Sequence, residues 1–147
     1  MRCVRKKAIE VALYFDSSAL VKLVLLETEH LPLEEWIAAN PNEMATSSLA
    51  LTEVERATRK NTSDRLLPEA LRHLIEMFDL LNLIPLTDRL LRTAGSLTPT
   101  TLRSLDAIHL ASALSLRPGL DGLVTYDNRM ASAAQQLGIT VYQPAGP

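Results

Sequence analysis

LYFDSSALVKL, residues 13–23, carries the end of an apolar run, a carboxylate and the start of a helix in immediate succession. The run VALYF, Val11 to Phe15, reads as a buried strand, short and rich in residues that favour the pleated surface. It ends on Asp16, and SSALVKLVLL then reads as a helix. A core strand that delivers a charged side chain to its own end needs a reason, because an unpaired buried carboxylate is costly.

The same alternation continues along the chain. Strands are expected at Val11–Phe15, Met44–Thr46, Leu83–Leu86, Gly122–Thr125 and Thr140–Tyr142. Helices are expected at Ser18–Leu26, Leu33–Ala39, Leu49–Lys60, Pro68–Leu80, Asp88–Leu97, Leu105–Leu116 and Asn128–Leu137. Pro68 suits a first helical turn, Gly138 a helix stop, and Pro118-Gly119 the end of the sixth helix. Leu49–Lys60 and Pro68–Leu80 form a helical hairpin turning at NTSD, Asn61–Asp64. Strands alternating with helices predict an α/β fold, a parallel sheet with helices on both faces. No repeat, low-complexity tract or linker divides the chain, so one domain spans residues 11–147 behind a basic lead-in, MRCVRKKAIE, at 1–10.

Composition narrows the class. A chain of 147 residues, 47% hydrophobic and 22% charged, suits a soluble globular domain with a proper core. A net charge of −2 excludes a partner bound by general basicity, so any nucleic-acid contact must come from a local patch. The one cysteine, Cys3, excludes an internal disulfide and fits a reducing, cytoplasmic setting. The run Ala19–Leu26 is interrupted by Lys22 and too short to cross a membrane. The lead-in lacks the apolar stretch and small-residue cleavage site of a signal peptide.

Four acids stand in unusual places. In open parallel sheets, sites form beyond the carboxyl ends of the strands. Asp16 follows the first strand and Asp127 follows the fourth, in GLVTYD, so both fall at one edge of the sheet. Each also reads as a helix N-cap. On Leu49–Lys60, a rotation of about 100° per residue groups Leu49, Ala50, Val54 and Ala57, with Glu53 inside that face and Glu55 opposite. Glu53 therefore needs a cation, a proton or a water-filled pocket; on its own helix, Arg56 is the available partner. Asp106 opens LDAIHLASAL, with Ser104 as a cap and Leu110 and Ala113 continuing a buried stripe beside it. His109 reads as a packed helix residue and is left outside the site.

Converging carboxylates raise one another's pKa and do not stay ionised together unaided. A hard divalent cation, Mg²⁺ or Mn²⁺, removes the difficulty, since it prefers carboxylate and water oxygens. A cation held in this way suits phosphodiester hydrolysis, which then needs neither a nucleophilic side chain nor a histidine base.

The segments YFDSSALVKL, SSLALTEVERA, LRSLDAIHLASAL and LVTYDNRMASAAQQLGI, in that order, resemble the PIN domain, and more narrowly the VapC-like toxins of type II toxin–antitoxin systems. The resemblance covers nearly the whole chain after residue 10 and implies a three-layer α/β/α sandwich around a five-strand parallel sheet. It implies an acidic quartet of Asp16, Glu53, Asp106 and Asp127, with Thr125 orienting a water or phosphate. It also implies Mg²⁺- or Mn²⁺-dependent endoribonuclease activity on RNA of the translation machinery, homodimerisation, and inhibition by a cognate antitoxin. The ten residues ahead of the first strand depart from the family pattern.

Lys22, Arg56, Arg59, Lys60, Arg103 and Arg129 are the candidates for RNA phosphate contact, with Arg103 foremost for its place beside Asp106. Aromatic residues at 4% favour a structured RNA read by shape over a stacked single strand. The apolar helices Ala19–Leu26 and Leu33–Ala39, with Trp36, offer a groove for an antitoxin helix. A phosphohydrolase of the haloacid dehalogenase type would need a second Asp where Ser18 stands, and a receiver domain lacks its acidic pair and lysine here. The remaining alternative is a catalytically silent PIN-like module that binds RNA or protein.

Overall fold

The computed structural model describes residues 11–146, so the expectation for the lead-in at 1–10 lies outside the described residues. The chain runs β1 (Ala12–Phe15), α1 (Ser17–Leu25), α2 (His30–Ala39), β2 (Glu43–Ser47), α3 (Leu49–Asn61) and α4 (Leu67–Asp79). It continues with β3 (Asn82–Ile84), α5 (Asp88–Gly95), α6 (Ser104–Leu114), β4 (Leu120–Val124), α7 (Asn128–Gln136) and β5 (Val141–Tyr142). All strand pairs are parallel, in the order β3-β2-β1-β4-β5.

Alternation of side chains along β1 separates two cores. Leu13 and Phe15 pack with Leu20 of α1, Val54 of α3 and Leu74 and Phe78 of α4. Tyr14 points the other way, into Leu110 of α6 and Met130 and Ala133 of α7. Outside α6 lies α5, with Leu90 and Ala94 against Ala107 and Ala111. The result is the expected three-layer α/β/α sandwich.

The central strand β1 has β2 on one side and β4 on the other. Connections leaving to opposite sides of one strand open a crevice beyond the carboxyl ends, the usual place for a site in such sheets. The ladder extends one step past β1, with the Asp16 N–H donating to the Val124 carbonyl at 3.2 Å. Asp16 and Thr125, each one residue beyond paired Phe15 and Val124, therefore stand side by side.

Element ends differ from expectation for local reasons. The third strand stops at Ile84, not Leu86, because Pro85 has no N–H for the ladder. The second helix starts at His30 instead of Leu33, since Pro32 is tolerated in a first turn. Ser104 is already helical and Arg103 holds the extended cap position, so α6 starts without the serine cap. Gly122 admits the Tyr142 ring across β4: a Cβ there would lie 2.4 Å from Tyr142 Cε2 and 2.8 Å from the Thr140 carbonyl.

Candidate active site

Asp16 is buried at the head of α1. Its Oδ1 accepts from the Ala19 N–H at 3.1 Å, capping the helix, and from Ser18 Oγ at 2.6 Å. Its Oδ2 accepts from the Thr125 hydroxyl. Thr125 Oγ1 in turn accepts from the Asp127 N–H at 3.1 Å, so one buried hydroxyl ties both acids together. Where the sequence suggests a hydroxyl facing water or phosphate, Thr125 is fully enclosed and engages the Asp16 carboxylate and the Asp127 backbone N–H. Asp127 caps α7 through Oδ1, which accepts from the N–H groups of Arg129 (2.8 Å) and Met130 (3.2 Å). Both strand-end acids are thus N-caps, as their positions suggest, and in each the cap engages a single oxygen.

Glu53 projects from the middle of α3. Its Oε1 accepts from Ser17 Oγ at 2.7 Å and lies 2.6 Å from His109 Nε2. His109, which the sequence reading left outside the site, takes the place of Arg56 as the partner of Glu53. It is buried on α6, with Nδ1 2.7 Å from the Tyr14 hydroxyl. Its spacing of three from Asp106, on the buried stripe of α6, was the signal that could have placed it here.

Charge and burial act differently on each acid. Burial raises the Asp16 carboxyl above its ordinary range, outweighing the bonds from Ser18, Thr125 and Ala19. Asp106 is raised by partial burial and then by the charge of Asp127, with a smaller push from Glu53, against the pull of Arg103 and His109. Asp106 therefore senses two of the other three acids. Burial also lifts Glu53, but its contacts with His109 and Ser17 prevail and hold it low.

The donor set suits a hard cation by a count of lone pairs. Among the described residues, Glu53 Oε2, Asp127 Oδ2 and both oxygens of Asp106 accept no hydrogen bond, and Asp16 Oδ2 accepts one. Arg103 Nε, 3.9 Å from Asp106 Oδ2, is the nearest guanidinium to an acid of the crevice. Among the described residues no three Asp, Glu, His or Cys side chains close on a common point.

The basic candidates separate. Lys22 is engaged with Glu29 at 2.7 Å and Glu27 at 3.5 Å, and lies over the Tyr126 ring, so it is withdrawn from phosphate contact. Arg59 pairs with Glu55. Arg56 is exposed on α3 and Lys60 at its end. Arg103 and Arg129 border a cavity of about 500 Å³ between α6 and α7, which Asp106 also lines, together with Asn128, Ser132 and Gln136.

A second cavity, about 550 Å³ and mostly apolar, lies on the far side of the sheet, lined by Leu20, Leu23 and Leu26 of the first helix region, Ile37 of α2, and Met77 and Leu80 at α4. The expected groove thus gains a wall from α4. Trp36 is not part of it; its ring packs on Tyr142 at 5.0 Å. Among the described residues no helix is long and apolar enough to cross a membrane.

To this parallel sheet ordered 3-2-1-4-5, with acids at the β1 and β4 ends, the PIN domain profile matches over residues 13–136. The chain belongs to the PIN-domain family. It is VapC-like: 42% identical over 135 residues to Ribonuclease VapC46 of Mycobacterium tuberculosis, covering 91% of this chain and 98% of that protein. Ribonuclease VapC47 of the same species is 36% identical over 135 residues, covering 90% and 96%. Among solved structures, a toxin–antitoxin complex from Klebsiella pneumoniae superposes with a TM-score of 0.67 at 20% identity, over 92% of this chain and 99% of that one. VapC20 of Mycobacterium tuberculosis, described as a sarcin-ricin loop cleaving toxin, gives 0.67 at 18% identity over 90% and 99%. At these identities the structural likeness concerns the fold.

Proposed function

We propose that the chain is a divalent-metal-dependent endoribonuclease, the toxin of a toxin–antitoxin pair, with Asp16, Glu53, Asp106 and Asp127 as its acidic site. The observation that carries the reading is that Glu53 Oε2, Asp127 Oδ2 and both Asp106 oxygens are left without donors among the described residues. Support comes from relatives at 42% and 36% identity that are named ribonucleases.

Glu53 Oε2, Asp127 Oδ2 and the Asp106 carboxylate would hold Mg²⁺ or Mn²⁺, joined by Asp16 through the lone pair that Thr125 leaves on Oδ2. Bound there, the ion supplies an acidified attacking water and offsets charge on the attacking and leaving oxygens. Thr125 and Ser18 fix the Asp16 carboxylate, and Thr125 also fixes the Asp127 backbone. Arg103 and Arg129 lie where RNA phosphates flanking the cut would enter, beside the cavity that shares Asp106. Arg56, exposed one turn beyond Glu53, is a weaker candidate.

The substrate is RNA of the translation machinery, a reading supported by the family resemblance and by the description of VapC20. The inhibitor is a cognate antitoxin whose apolar helix occupies the groove of Leu20, Leu26 and Leu80. Cytoplasmic location and homodimerisation are carried over from the family resemblance.

The test is incubation of the purified chain with ribosomal and transfer RNA in Mg²⁺ or Mn²⁺, with fragment ends mapped by sequencing. Discrete cuts are expected, lost in Asp16→Asn and in chelator. Equal cutting by the wild type and Asp16→Asn would overturn the reading.

A further inference from the structure

We propose that His109 is a positioning residue for Glu53, holding one carboxylate oxygen so that the other faces the acid crevice. The inference rests on the metal-site reading above and adds a directional chain of hydrogen bonds to it.

The chain starts at the backbone. The Ser47 N–H donates to the Tyr14 hydroxyl oxygen at 3.1 Å. The Tyr14 hydroxyl, its oxygen accepting from Ser47, lies 2.7 Å from His109 Nδ1 and can donate to it or accept from it. Nε2 is 2.6 Å from Glu53 Oε1. A hydrogen on Nε2 is required, since a bare Nε2 would place its lone pair against the carboxylate. Ser17 Oγ donates to the same Oε1 at 2.7 Å. Two donors converge on Oε1, and Oε2 is left with none among the described residues.

Burial makes the arrangement rigid. Tyr14 is fully enclosed and His109 is 3% exposed, so neither ring has room to turn. The Tyr14 edge meets the His109 ring at 73° with centroids 5.9 Å apart. Glu53 sits on α3, His109 on α6 and Tyr14 on β1, so the chain of bonds fixes helices from opposite faces of the sheet at one carboxylate. Groups of this kind behind a metal ligand set its orientation, and losing one typically weakens metal affinity about 10- to 100-fold.

The experiment is Mn²⁺ titration of the metal-free protein, read by the electron paramagnetic resonance of free Mn²⁺, with long-range proton–nitrogen spectra of the imidazole. Wild type should show a proton on Nε2. His109→Phe should bind Mn²⁺ about tenfold or more weakly, whereas His109→Gln, which can accept from Tyr14 and donate to Glu53, should recover most of the affinity. Wild-type affinity in His109→Phe overturns the proposal, as does a glutamine variant no better than phenylalanine. An Nδ1–H tautomer in the wild type also overturns it, and this measurement decides the case if His109→Phe does not fold. Glu53→Gln separates the layers: if it binds Mn²⁺ like wild type, the metal reading itself falls. If Glu53→Gln is weak and His109→Phe is not, only the positioning role falls.

Discussion

His109 Nε2 lies 2.6 Å from Glu53 Oε1, joining side chains 56 residues apart in sequence. Thr125 does the same for Asp16 across a separation of 109. In neither case is the donor a lysine or arginine; a hydrogen bond from a distant part of the chain fixes the geometry of each acid, as a preorganised site requires.

Asp16→Asn is expected to reduce cleavage by at least about a hundredfold while raising the thermal midpoint of the metal-free protein. Burial lifts the folded carboxyl above 3.8. A group raised on folding favours the folded state below its unfolded value and opposes it as pH climbs through the folded one. Asparagine removes that opposition at neutral pH and still caps Ala19. Calorimetry in chelator should show a rise of a few degrees, at about 2–4 °C per kcal/mol for a chain near this size; a fall would contradict the assignment.

Added Mg²⁺ or Mn²⁺ should raise the wild-type midpoint, by about 2.7 kcal/mol of stability at a hundred times the dissociation constant. The gain should fade on acidification at a pH above the ordinary aspartate value of 3.8, because Asp16 and Asp106 are both raised. Glu53, held low, remains ionised to lower pH. Melting curves across a pH series with and without the ion check this, and a gain that persists undiminished into acid would count against carboxylate ligation.

Arg103→Gln and Arg129→Gln should each raise KM several-fold and reduce the salt dependence of RNA binding by about 0.7–0.9 in the log–log slope per lost phosphate contact. Lys22→Gln should leave that slope unchanged, because Lys22 is committed to Glu29. Its cost is to stability, about 1 kcal/mol or less. Filter binding over a range of salt distinguishes the two classes.

Leu80→Glu should abolish antitoxin binding without altering RNA cleavage or folding. Leu80 is 69% exposed, lines the apolar groove, and stands on the opposite side of the sheet from the α6/α7 cavity. Calorimetric titration with the cognate antitoxin reads the first effect; unchanged affinity would move the docking surface elsewhere.

What was legible in the chain was local. The passage from strand to acid to helix identifies Asp16 and Asp127 because all three signals fall within a few residues. Glu53 betrays itself by standing on the apolar face of its helix. His109 was misplaced because its partners, Tyr14 and Glu53, are 95 and 56 residues away, and a histidine on an apolar stripe has the same local signature whether packed or paired. Lys22 misled for the reverse reason: Glu27 and Glu29 lie just past the helix end, and only the chain's turn after Leu26, at φ 53°, brings them back to it. Pro85 explains the shortened third strand and was present in the sequence to be used.

In Asp16 and Asp127 a single oxygen closes the first turn of a helix; its twin meets the Thr125 hydroxyl in Asp16 and accepts no hydrogen bond among the described residues in Asp127. Exchanging either acid for its amide leaves the closing oxygen in place. A duplicated gene that drifted to asparagine at both positions would keep its shape and its docking face while losing its bite. Such a copy would act as a decoy, drawing inhibitor away from its active sibling.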